Sequence, residues 1–277
     1  MRRSWISALL MAAGVATMAG SGPYFNTYTH HMEPGEWELE AATDEVRSPY
    51  GGWSNGQALE LEHGFNEHFG GSLYLLGTKA PSEPWTCDGF KVEARFRPWL
   101  VKSFWVPTFY LEYEQFHHAE TYRDAAVGFA ETGSDGGPFK TQHEVESRLI
   151  FSRDFDWGNV AVDLIAEKNL NGEPMAFGYT AGFYLKGPSA GVEGLGAFDP
   201  DGDGDSHYLY GMEVYGNLGV SGVFGFWQHR QEQYAEPFVA FPITRRLTLK
   251  TGAAIGLTRQ SEDRLRLALV VRLGKVK

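Results

Sequence analysis

Arg264-Leu265-Arg266-Leu267-Ala268-Leu269-Val270-Val271-Arg272-Leu273 alternates from end to end. Leu265, Leu267, Leu269, Val271 and Leu273 fall on one side, and Arg264, Arg266, Ala268, Val270 and Arg272 on the other. Side chains of an extended chain have period two, so the stretch is a strand with one apolar and one polar face. Immediately upstream, Leu247, Leu249, Thr251, Ala253, Ile255 and Leu257 alternate with Thr248, Lys250, Gly252, Ala254 and Gly256. Two such strands in succession predict an antiparallel sheet whose apolar face needs a cover. That cover is either lipid or a second sheet.

Working back along the chain, the same pattern recurs and predicts about twelve strands. They fall near 36–43, 56–65, 69–77, 88–97, 105–116, 142–153, 158–168, 175–186, 207–217, 227–243, 246–258 and 263–273. Phe90, Val92, Ala94 and Phe96 alternate with Lys91, Glu93, Arg95 and Arg97; Phe109, Leu111 and Tyr113 with Tyr110, Glu112 and Glu114. Val145, Leu149 and Phe151 oppose Glu144, Glu146 and Arg148, and Val160, Val162, Leu164 and Ala166 oppose Asp163 and Glu167.

At the other end of the chain, Arg2 and Arg3 precede an apolar run, Ile6 to Ala16, followed by the small residues Ala19, Gly20 and Ser21. This is the layout of a secretory signal peptide, expected over 1–21, with one all-β domain over 22–277. No later stretch reaches the ~20 apolar residues a membrane-spanning helix needs. The single cysteine, Cys87, allows no intrachain disulfide and is expected in a loop. A net charge of −11 disfavours nucleic acid as a partner.

Connections carry a second signal. Short turns at 66–68, 97–104, 154–157 and 244–246 alternate with longer loops at 44–55, 78–87 and 117–141. Outer-membrane barrels show this asymmetry, with tight periplasmic turns and long outer loops. The segment 187–206 is long where a short turn is due, so either the strand count slips there or the turn carries an insertion. Trp99, Phe104, Trp105, Phe155 and Trp157 gather at the short-turn rim, as in an interfacial aromatic girdle. A soluble sandwich also alternates. Strands of about ten residues match a tilted crossing of a bilayer. Charges at successive inward positions fit a wet or ion-paired lumen, so the expectation is a closed antiparallel transmembrane β-barrel of about twelve strands. It must close, because an open edge in hydrocarbon leaves amides without partners. Glu36, Glu38 and Glu40 on the first strand and Arg264, Arg266 and Arg272 on the last offer a seam, with Arg272 expected near Glu36 and Arg266 near Glu40.

Thr29 to Leu39 (THHMEPGEWEL) and Leu249 to Leu257 (LKTGAAIGL), followed by Thr258 and Ser261-Glu262-Asp263, resemble the first and last strands of outer-membrane transporters encoded with the meta-cleavage pathway of phenol degradation. Gly211-Met212-Glu213-Val214-Tyr215-Gly216 and Glu236-Pro237-Phe238 are similar to intervening pieces. The resemblance implies a barrel in the bacterial outer membrane, a channel role for a small-molecule solute, and no catalytic residues. Such barrels usually end on an aromatic residue read by the barrel assembly machinery, an expected partner beside outer-membrane lipid. Here the chain continues through Gly274, Lys275, Val276 and Lys277, and Leu273 is the residue expected to serve instead.

Several clusters raise other chemistry. Asp199-Pro200-Asp201-Gly202-Asp203-Gly204-Asp205 places oxygens at alternate positions, as a calcium loop begins. The twelfth position from Asp199 is Tyr210, so the bidentate glutamate is missing, and an acidic solvated turn is the competing reading of Asp199, Asp201, Asp203 and Asp205. His30 with His31, and His117 and His118 with Glu120, are metal-ligating types. Neighbours on a strand face opposite sides, which argues against both pairs. Ser54-Asn55-Gly56 is similar to the reactive serine tripeptide of outer-membrane phospholipase A, but Gly52 and Trp53 stand where its histidine base belongs, and Asn-Gly is also a turn dipeptide. Inward carboxylates Glu112, Glu114, Glu144 and Glu146 sit near Lys91, Arg95 and Arg148, which points to ion pairing. The expected lumen therefore carries Glu36, Glu38, Glu40, Lys91, Glu93, Arg95, Glu112, Glu114, Glu144, Glu146, Arg148, Asp163, Glu167, Arg264, Arg266 and Arg272, with no cofactor beyond calcium in the 199–205 loop. The function expected is passive passage of small molecules. A permanently plugged structural barrel and a lipid-hydrolase barrel are the alternatives.

Overall fold

The computed structural model describes residues 22–47, 53–79, 84, 86–100, 105–117, 141–193, 205–225 and 231–273. The strands are β1 (Trp37–Arg47), β2 (Trp53–Gly64), β3 (Phe69–Lys79), β4 (Thr86–Phe96), β5 (Val106–Phe116), β6 (Gln142–Phe155) and β7 (Gly158–Asn169). They continue as β8 (Ala176–Glu193), β9 (Asp205–Val220), the two-residue β10 (Val223–Phe224), β11 (Gln233–Thr244), β12 (Leu247–Gly256) and β13 (Arg264–Arg272). Consecutive long strands pair antiparallel, β9 pairs with both β8 and β11, and β1 pairs with β13. The result is a closed barrel of twelve long strands in one sheet. Among the described residues, closure gives each of the twelve long strands a neighbour on both sides, the requirement for a sheet surrounded by hydrocarbon.

The alternation read from the sequence sorts into wall faces. Leu265, Leu267 and Leu269 on β13, Leu111 and Phe109 on β5, and Leu164 on β7 lie exposed on the outside. Arg264, Arg266, Ala268, Val270 and Arg272 point into the barrel and are buried. No second sheet covers the outer face among the described residues. The exposed aromatics Trp37, Phe65, Phe69, Phe96, Trp99, Trp105 and Trp157 sit at the end where the short turns lie, with Phe155 stacked on Trp157 at 4.9 Å. Phe104 lies outside the described residues. Rings of this kind settle at a membrane boundary. An arginine on the outer band is the sharpest check: Leu267→Arg is expected to cost about 2–4 kcal/mol of folding free energy in lipid vesicles. Denaturant refolding into vesicles measures it, and an unchanged midpoint would mean that water, not lipid, meets Leu267.

Several boundaries differ from expectation; the first strand runs on to Arg47, and the strand expected over 227–243 begins at Gln233. The segment 187–206 does not disturb the count, because β8 and β9 run on past the wall as a longer hairpin, with bulges after Lys186 and Ser189. Residues 194–204, with Asp199, Asp201 and Asp203 of the calcium loop, lie outside the described residues, as does the expected signal peptide over 1–21. Asp205 opens β9. Asn55 and Gly56 are not a turn: both belong to β2, paired with Glu45 and Asp44. Cys87 likewise belongs to β4 and is exposed.

The first strand begins at Trp37, so the resembling stretch from Thr29 is only partly wall. Residues 23–30 are all buried and lie within the barrel. This lumen segment has no strand partner over 22–33. It leaves the barrel through Pro34 and Gly35, where the Gly35 amide donates to the Gly64 carbonyl at 2.7 Å, and the chain turns into β1.

Candidate functional site: the barrel lumen

Wall charge is arranged around the lumen segment. A chain without a strand partner still carries backbone donors and acceptors that burial makes costly to leave unmade. Here wall side chains supply the partners. The Glu213 carboxylate on β9, fully buried, accepts from the backbone amides of Phe25 (3.0 Å), Asn26 (3.1 Å) and Thr27 (2.9 Å) and from the Asn26 side-chain amide (3.0 Å). Asp163 on β7 accepts from the Tyr28 amide at 2.8 Å, and Ser152 Oγ on β6 from the His30 amide at 2.8 Å. In the other direction, Lys250 Nζ donates to the Tyr24 carbonyl (2.9 Å), Arg148 Nη1 to the Asn26 carbonyl (2.7 Å) and Arg97 Nη1 to the His30 carbonyl (2.8 Å).

Side chains of the segment are seated equally closely. Tyr24 packs between Tyr184 (centroids 5.5 Å apart) and Phe238 (5.4 Å), and its hydroxyl donates to Asn159 Oδ1 at 3.1 Å. Glycines in the wall make the room. A Cβ on Gly182 would lie 2.6 Å from the Tyr24 ring, and one on Gly252 would lie 2.8 Å from the Phe25 ring. Tyr28 donates to Glu93 at 2.9 Å and lies under the Arg148 guanidinium, 4.8 Å from its ring centroid. Burial and the Glu93 charge push the Tyr28 hydroxyl far above its usual range, so it remains a donor. Burial pushes His30 down to about 4, which keeps its imidazole neutral near pH 7.

The residues expected to line the lumen distribute as follows. Glu40, Lys91, Glu93, Arg95, Glu112, Glu146, Arg148, Asp163, Arg264, Arg266 and Arg272 are buried, while Glu36, Glu38, Glu114, Glu144 and Glu167 are half-buried. Lys91 pairs with Glu112 at 2.8 Å, Arg95 with Glu93 at 3.0 Å and with Glu62, and Arg148 with Glu146. Glu144 accepts from Asn169 at 3.0 Å, and Glu114 lies opposite Glu144, Glu146 opposite Glu167. At the seam, Arg272 meets Glu36, as the pairing of first and last strands suggested. Arg266 does not meet Glu40. It lies opposite Asp44, which it contacts at 3.0 Å, and it reaches Glu236 at 3.4 Å; Glu40 instead pairs with Lys250 at 3.1 Å. Asp44 falls in the loop expected over 44–55, so the expected seam lacks the true partner of Arg266.

Asp44, Glu60, Glu62, Glu213, Glu236, Lys250 and residues 24–29 are among the lumen groups that the sequence does not mark as a site. Lys250 was visible on the polar face of its strand, and Glu213 and Glu236 lay within the resembling pieces. Nothing in the sequence marked the aromatic and polar run Tyr24-Phe25-Asn26-Thr27-Tyr28 as an occupant of the barrel. Of the other candidates, His117 is exposed and its Nδ1 lies 3.0 Å from Thr141 Oγ1, whereas His118 and Glu120 fall outside the described residues. Gly52 also falls outside them, while Asn55 donates to Thr43 (2.8 Å) and Glu45 (2.7 Å).

No family model matches the sequence, and no curated protein matches it significantly. Among solved structures, the chain is similar to an outer membrane channel from Pseudomonas putida F1, with a TM-score of 0.56 at 9% identity over 88% of this chain and 97% of that one. A KdgM porin in complex with disordered oligogalacturonate aligns over 84% of this chain and 98% of that one at 12% identity, with a TM-score of 0.47. OprB of Pseudomonas putida aligns over 86% and 93% at 12% identity, with a TM-score of 0.30. These last two are too distant to carry an argument. The first shares this closed antiparallel barrel fold.

Proposed function

We propose that the protein is an outer-membrane channel for small molecules, closed in this conformation by its own residues 22–32. The observation that carries the reading is the nature of the filling. An eight-stranded barrel is just filled by its own side chains, and bore grows with strand number. In this twelve-stranded wall the interior is taken up by a separate run of chain, bound through reversible hydrogen bonds rather than built into the sheet. Removal of a signal peptide near residue 21 would leave that run as the start of the mature chain. The resemblance to transporters encoded with phenol degradation supports uptake as the physiological direction, and the barrel assembly machinery would insert the chain.

A permanently plugged structural barrel is the second reading, favoured by the number of backbone groups of the segment that wall side chains satisfy. One comparison separates the two. Chain lacking residues 23–32 but retaining 1–22, reconstituted in planar bilayers, is expected to show ion conductance many times that of the full chain. If the shortened barrel migrates as a heat-modifiable, folded species and conducts no more than the full chain, the channel reading fails.

A further inference from the structure

The lumen segment brings two neighbouring histidines onto one carboxylate. Adjacent residues on a strand diverge, but His30 and His31 lie at a bend outside any strand, and their rings stand 4.5 Å apart. His30 Nε2 is 3.2 Å and His31 Nε2 2.9 Å from the same oxygen of Asp154, near the short-turn end of β6. All three donor atoms lie within 4.8 Å of one another. We propose that His30, His31 and Asp154 form a divalent transition-metal site that ties the lumen segment to the barrel wall.

Spacing is the first argument. Tetrahedral coordination with bonds of about 2.0–2.1 Å sets donors about 3.3 Å apart. Two of the three edges here already stand at 3.2 and 2.9 Å, so a metal needs only small side-chain shifts to enter. Orientation is the second. Ser152 Oγ engages His30 Nδ1, which directs Nε2 towards Asp154. The Asn159 side chain donates to the other Asp154 oxygen at 2.7 Å, leaving Oδ2 facing both imidazoles. Such outer partners fix the ring and carboxylate that bind an ion. The Arg97 bond to the His30 carbonyl holds the backbone at the bend. Composition is the third: two imidazoles and one carboxylate suit zinc, nickel or copper rather than calcium or magnesium. Asp154 and His31 keep partial exposure, which leaves room for a water as fourth ligand.

A bound ion would join segment and wall, because its ligands come from both. Metal would then favour the occupied lumen by mass action. That consequence rests on the channel reading above; the binding itself does not. The test uses full-length protein in detergent, freed of metal with a chelator, and titrated calorimetrically with zinc chloride. One equivalent is expected to bind with a dissociation constant in the low-micromolar range or tighter. His31→Ala and Asp154→Asn are each expected to weaken binding at least about tenfold, and Ser152→Ala by about 10–100-fold. Cobalt(II) is expected to produce the intense visible bands of a tetrahedral site in the wild type and to lose them in His31→Ala. Heat-modifiability of each variant certifies that the barrel is folded. No saturable zinc binding, or binding that the folded His31→Ala variant retains, overturns the site. Zinc that binds at these residues yet leaves bilayer conductance unchanged overturns the lock alone.

Discussion

Glu213→Gln is expected to open the barrel. The Glu213 carboxylate gathers four N–H groups from three consecutive residues of the lumen segment. Hydrogen bonds to a charged acceptor contribute about 1.5–3 kcal/mol each. A glutamine keeps one acceptor oxygen and turns an NH2 group towards the segment's own donors. Loss of even one such bond shifts an occupied–vacated equilibrium by about tenfold, since 1.4 kcal/mol is a factor of ten. Two or three lost bonds shift it by about 100-fold or more. Planar-bilayer recordings should therefore show open events at least about tenfold more frequent than in the parent chain.

Gly182→Val provides an uncharged companion to that variant. A Cβ there already meets the Tyr24 ring at 2.6 Å, and Tyr24 cannot retreat between Tyr184 and Phe238. It should raise the same events without touching any carboxylate. If both variants fold and neither changes conductance, the segment is not a displaceable closure.

Arg266→Gln is expected to damage the barrel itself. Arg266 bridges Asp44 on β1 and Glu236 on β11, and also donates to the Asn26 side-chain oxygen at 2.7 Å. Both charged partners are buried, as is Arg266 itself. Removing the cation leaves two buried carboxylates without their paired guanidinium, and breaking a buried pair in this way costs about 3–5 kcal/mol. Denaturant unfolding in lipid vesicles should show that loss, with the heat-modifiable transition moved to lower temperature. Replacing the whole cluster (Asp44→Leu, Glu236→Leu and Arg266→Leu together) should recover much of it, because the cost lies in the uncompensated charge rather than in the missing bonds. A single-variant loss below about 1 kcal/mol would mean that water reaches the cluster and screens it.

The two variants separate two roles for lumen charge. Glu213 mostly holds the segment, so its loss should leave the wall standing. Arg266 joins wall to wall as well as wall to segment, so its loss should weaken both. The Lys91–Glu112 pair joins β4 to β5 within the wall, and the Arg95–Glu93 pair also meets the segment through the Tyr28 hydroxyl.

Local sequence carried what is local. Period-two alternation in 264–273, 247–257 and the strands around Lys91, Glu112 and Asp163 specified strand positions, the apolar outer face and the charged inner one, because the pleat assigns each side chain to a face whatever lies beyond it. The aromatic rim around Trp99, Trp105 and Trp157 was legible for the same reason, since it follows from turn position along the chain. The seam was legible only in part. Arg272 with Glu36 survived, but Arg266 with Glu40 did not, because register across a closing pair depends on where β1 ends, and Asp44 belonged to it.

Closure alone decided the rest. Whether a lumen is empty or occupied is a property of the volume that twelve strands enclose, and no short window of sequence contains that volume. Tyr24 to His31 shows no alternation, so on its own it reads as a connector. Only inside the finished barrel do its amides find Glu213 and Asp163, more than a hundred residues away in the chain. His30 and His31 converge on Asp154 for the same reason: a segment freed from the pleat can turn neighbouring side chains the same way, and the wall then supplies the third group.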